Sequence, residues 1–126
     1  MKATKAGIWM DHIHAYVIEF TTEPMESTLI ESRLSHELRK PDLTFGETRM
    51  HSIENREQAA FYKDLTLAIR GYREIVLFGP GKAKMELFNL LHENHVFQNI
   101  IVKTEQTDRM TLGEMNVFVR EHFSRR

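Results

Sequence analysis

The sequence predicts one α/β domain on a single mixed five-stranded sheet, with elements in the order β-β-β-α-β-α-β-α over residues 1–126. Three observations predict it. Ile75-Val76-Leu77-Phe78 is a continuous apolar run bounded by Arg73-Glu74 and Gly79-Pro80-Gly81, as expected of a short strand buried on both faces. An amphipathic stretch follows the Gly-Pro-Gly turn at once, so strand, tight turn and helix make half of a βαβ unit. Ahead of them, residues 6–34 fall into three short strand-like runs joined by brief links, which predicts an antiparallel meander.

The first run is Ala6 to Met10, with Ile8 and Trp9 on opposite faces, and Asp11-His12-Ile13 is its turn. From His14 to Thr21, Tyr16, Ile18 and Phe20 share one face and Ala15, Val17 and Glu19 the other. Pro24 marks the next turn. Glu26 to Leu34 alternates again with more polar residues, which suits an edge strand.

Residues 35–51 follow neither period and are broken by Pro41 and Gly46. Connections this long in small domains are commonly functional, although Leu38, Leu43, Phe45 and Met50 also suit plain anchoring. Ser52 is the expected N-cap of a helix running to about Arg70, with Gly71 as terminator. Its apolar stripe is Ile53, Phe61, Leu65, Ala68, Ile69 and Tyr72.

The central strand comes next. Pro80 suits a first helical turn, and a second helix is expected from Gly81 to His92 with Ala83, Leu87, Leu90 and Leu91 inward. Val96 to Thr104 leads into a strand with Ile100, Ile101 and Val102 as its core. The last helix starts on a capping box, Thr111 with Glu114, and Met110 can staple onto Met115. Leu112, Met115, Val119 and Phe123 are its inner side. Right-handed crossovers then give strand order 3-2-1-4-5 with helices on both faces, the ribonuclease H-like layout in a shorter form.

Composition narrows the function classes. The net charge is −1, so no dominant polybasic surface is indicated and no DNA partner is expected. With no cysteine there is no disulfide, thiol nucleophile or Cys-based metal site. The first residues lack the apolar core of a signal peptide, and no apolar run is long enough for a bilayer. A cytoplasmic domain without membrane contact is the expectation.

Three segments carry a family resemblance: Gly7 to Ile18 (GIWMDHIHAYVI), Leu77 to Lys84 (LFGPGKAK) and Asp108 to Phe123 (DRMTLGEMNVFVREHF). Through them the chain resembles the small bacterial relatives of the archaeal and eukaryotic peptide-release-factor central domain, including host-attachment-type proteins. The resemblance implies a domain that enters the ribosome's peptidyl-transferase centre. Hydrolysis there depends on a Gly-Gly-Gln tip between the third strand and the first helix. Residues 35–51 hold no Gly-Gly-Gln and no glutamine, so the resemblance implies ribosome or RNA contact without the hydrolytic step.

The residues themselves offer few reaction centres. Asp11 ends the first strand, where ribonuclease H-like nucleases also hold an acid. Two-metal chemistry needs several converging carboxylates, and Gly79-Pro80-Gly81 stands where a partner would be. Glu54, Glu57 and Asp108 are the acids that could approach; a turn role for Asp11 is preferred. His12 and His14 share a strand face with Asp11 beside them, but a metal site needs further ligands, which only the distant His36, His51, His92 or His95 could supply. No serine or threonine stands in a nucleophile elbow.

An anion site has better physics. Gly79, Gly81, Lys82 and Lys84 combine a helix start with two lysines, though not in a Walker A or dinucleotide pattern. Arg39, Lys40 and Arg49, among Glu37, Asp42 and Glu47, could extend such a contact. The plain alternative is an ordinary strand-to-helix turn. The leading expectation is therefore a non-catalytic domain associating with ribosome or structured RNA, with no cofactor. The rival is a homo-oligomeric or adaptor domain without nucleic acid. A metal-dependent nuclease or hydrolase ranks last.

Overall fold

The computed structural model describes residues 4–21, 25–33 and 47–124, without the side chains of 47–54 and 96. Strands β1 (Lys5–Met10), β2 (His14–Glu19), β3 (Ser27–Glu31), β4 (Glu74–Gly79) and β5 (Ile101–Gln106) form one sheet in the order β3-β2-β1-β4-β5. The first three are an antiparallel meander, β4 runs parallel to β1, and β5 runs parallel to β4. The helices among the described residues are α1 (Glu47–Ile69), α2 (Ala83–Glu93) and α3 (Leu112–Ser124). The predicted class, element order and strand order are those observed.

Every residue of β4 is buried, as its unbroken apolar run requires of a strand with neighbours on both edges and helices on both faces. One face packs Ile8, Ala15, Val17, Ile75 and Leu77 against α1 and α2. The other packs Trp9, Ile18, Val76 and Phe78 against α3. Phe78 stacks on Phe118 at 4.1 Å between ring centroids. Gly7 lets α3 approach β1: a Cβ there would lie 2.3 Å from Val119 Cγ2.

The helices bury narrower stripes than the sequence suggests. Each uses an i, i+4, i+8 row: Phe61, Leu65 and Ile69 in α1; Ala83, Leu87 and Leu91 in α2; Met115, Val119 and Phe123 in α3. Ala68, Leu90 and Leu112 sit beside these rows and are exposed. α1 begins at Glu47, ahead of Ser52; no proline stands between them to stop it, so residues 47–51 of the expected irregular connection are helical. The remainder of that connection, 35–46, lies outside the described residues.

α2 starts at Ala83, after Pro80 and Gly81 rather than on them, because Gly81 takes a positive φ of 71° that no helix accepts. Before β5 the chain makes a single 3-10 turn, His95–Phe97, that buries Phe97. In β5, Ile101 is 55% exposed. That strand is the margin of the sheet among the described residues, so Ile101 lies outside the expected core.

Candidate functional site

The parallel strands β1, β4 and β5 all end at one rim of the sheet, the usual position for ligands in open α/β folds. At its centre the chain turns sharply after β4. Gly79 has φ +138°, and a Cβ there would stand 2.3 Å from the Met10 carbonyl oxygen. Only glycine lets β4 leave the sheet this close to the end of β1.

The two lysines of the turn have different fates. Lys82 is exposed and precedes α2 without making a side-chain cap. Lys84 is buried: its Nζ donates to Gly81 O at 2.6 Å and to Gln106 Oε1 at 2.6 Å. Burial holds its pKa below the usual lysine value. Lys84 therefore ties the turn to the end of β5, while Lys82 is the one facing solvent. Arg39 and Lys40, and the side chain of Arg49, lie outside the described residues.

Beside this turn stands the β1–β2 hairpin. Asp11 Oδ1 accepts from the backbone N–H groups of Ile13 (2.9 Å) and His14 (2.7 Å), so Asp11 shapes the turn. Its Oδ2 accepts from Arg109 Nη1 at 3.2 Å. His14 Nε2 lies 3.5 Å from Glu31 Oε2, and His12 Nε2 lies 3.4 Å from Glu86 Oε1 on α2. Gln58 Nε2 donates to the His12 carbonyl at 3.2 Å. Tyr62 also donates to Glu86 Oε1, and burial together with that carboxylate pushes its pKa well above the usual phenol value. The hairpin tip is thus tied to α1, α2 and the segment before α3.

Asp11 and His14 do come together, His14 Nδ1 lying 3.8 Å from Asp11 Oδ1, whereas His12 turns to Glu86. Among the described residues no group of three or more His, Asp or Glu is arranged to hold a metal ion. A groove of about 370 Å³ opens between the hairpin and the start of α3, lined by Trp9, Asp11, His14, Tyr16, Arg109 and Met115 among others. The Trp9 indole N–H is buried and has no partner among the described residues. Sequence reading assigned no role to Arg109 or Gln106, since each acts on a residue remote in the chain.

No protein-family model matches this chain, and no curated protein sequence matches it. Solved structures do. The Pelota protein of Thermoplasma acidophilum superposes with a TM-score of 0.62 at 16% identity, over 93% of this chain and 32% of that one. Pelota of Archaeoglobus fulgidus gives 0.55 at 15% identity, over 97% and 31%. The archaeal translation termination factor aRF1 gives 0.58 at 14% identity, over 93% and 34%. The chain thus spans about a third of the length of each, and at these identities the likeness is one of fold.

Proposed function

We propose that this chain is a non-catalytic binding domain that associates with the ribosome or with structured RNA. The observation that carries the reading is the fold it shares with a translation termination factor and with Pelota, nearly end to end. Fold analogy gives an associational warrant, and the rim of the sheet adds a physical one. The turn of Gly79, Gly81 and Lys82 presents an uncapped helix start with an exposed ammonium beside it, which favours a phosphate. Lys84 holds that turn in shape from beneath. Arg39, Lys40 and Arg49 of the preceding connection and helix start extend the same contact in this proposal.

The domain acts by binding alone. Residues 35–51 lack Gly-Gly-Gln, and Asp11, at the end of β1, is committed to the hairpin turn and to Arg109. Pelleting with ribosomes at moderate salt tests the reading: a folded protein should co-sediment, and complete failure to do so would overturn it. Capture from native extract with and without ribonuclease then separates RNA-dependent from protein-only association. Lys82→Ala should weaken binding across RNA sequences and lower the slope of log affinity against log salt by about one. An unchanged slope removes Lys82 from the contact.

A further inference from the structure

The outer margin of the sheet carries a pattern unrelated to RNA binding. Among the described residues β5 pairs only with β4. The Ile101 N–H donates to Arg73 O at 2.9 Å and the Thr107 N–H to Gly79 O at 3.2 Å. Residues 101, 103, 105 and 107 therefore turn their backbone groups toward β4. Val102, Thr104 and Gln106 turn theirs away, onto an edge that no described strand pairs. At the margin of the sheet face that carries α3, Ile101, Lys103 and Glu105 are exposed, with Glu105 near Phe118 and Glu121 of α3. Neither Lys103 nor Glu105 has an ion-pair partner among the described residues.

We infer that a second copy of this chain adds to β5 antiparallel, about a two-fold axis passing beside Thr104. The register follows from the geometry. In an antiparallel pair, residues that exchange both main-chain hydrogen bonds must both point outward. Centring the axis on Thr104 joins Thr104 to Thr104 of the second copy and Val102 to its Gln106, using every outward residue of the strand.

Lys103 then faces Glu105 of the second copy, and Glu105 faces its Lys103. Both fall at the non-hydrogen-bonded positions, where side chains approach most closely. Centring on Lys103 or on Glu105 would set like charges opposite each other. Centring on Val102 or Gln106 would leave part of the edge unpaired and the lysine and glutamate mismatched. An order of Lys-Thr-Glu is self-complementary only about its middle residue. Isolated charges on an edge strand serve to repel further strands; here they are spaced to match in a closed, two-fold contact.

Sedimentation velocity over a concentration series tests this. The wild-type chain should form a dimer that does not grow further. K103E and E105K should each weaken it by on the order of tenfold or more, by placing like charges opposite at two symmetry-related positions. Mixing those two variants should produce a heterodimer, because the reversed charges again complement, and the double variant K103E/E105K should recover self-association. Thr104→Pro removes an outward N–H without touching the β4 pairing and should give a folded monomer, with circular dichroism as the check on folding. A wild-type monomer at every concentration overturns the proposal. So does a dimer indifferent to both charge reversals, or single variants that fail to associate when mixed while remaining folded.

Discussion

Gly79 is the residue on which the rim of the sheet turns. Its positive φ and the Met10 carbonyl 2.3 Å from any added Cβ leave no room for a side chain. Gly79→Ala should cost at least about 2 kcal/mol in urea unfolding. Gly81→Ala should cost less, since that glycine has a positive φ but open space around it. Gly7→Ala meets a side chain rather than backbone, and α3 can shift slightly, so a loss of about 1–3 kcal/mol is expected. Lys84→Ala removes two hydrogen bonds from a buried ammonium and should destabilise by about 2 kcal/mol. Lys84 also carries a pH signature. Its folded pKa is lowered below 10.5, so as pH rises the folded chain loses this proton before the unfolded chain does. Stability should therefore gain with pH between the folded value and 10.5, and Lys84→Met should lack that gain.

Among the elements, α3 has the most explicit start. The Thr111 N–H donates to Glu114 Oε1 at 2.9 Å and the Glu114 N–H to Thr111 Oγ1 at 3.2 Å, a reciprocal capping box. Thr111→Ala should cost about 1 kcal/mol. The same bonds hold the Glu114 carboxyl below its ordinary 4.5. A depressed carboxylate stabilises the fold above its unfolded pKa and loses that contribution as pH falls through the folded value. Urea midpoints of wild type and Glu114→Gln should therefore differ near neutrality and converge in acid.

That cap was legible because it is written in four consecutive residues. The apolar run of β4 was legible for the same reason. What the sequence could not show was which of several adjacent leucines each helix turns inward, because Leu87, Leu90 and Leu91 fit the same stripe until the sheet selects a row. The site shows the same divide. The turn role of Asp11 is local and was read correctly. Its bond to Arg109, and the Lys84 bond to Gln106, join remote segments and have no local signature. Burial inverted the simplest reading of the turn: of two lysines two residues apart, one faces solvent and the other lies beneath.

At the scale of the whole molecule, the centre of the sheet is made of strands that are far apart in the chain. Lys5 faces Glu74 and Trp9 faces Phe78, so β1 has its main partner only after the meander, the connection and α1 have all been made. Such non-local pairing is slow to close because the intervening loop entropy must be overcome first. Fragments ending before Gly79 should show no cooperative unfolding transition by circular dichroism, whereas a chain ending after Gln106 keeps the complete sheet and should retain partial structure. For a nascent polypeptide emerging amino end first, the hairpin must wait with Ile8, Val17 and Ile18 exposed until β4 has cleared the exit tunnel. During that interval these strands are the part of the protein most dependent on chaperone shelter.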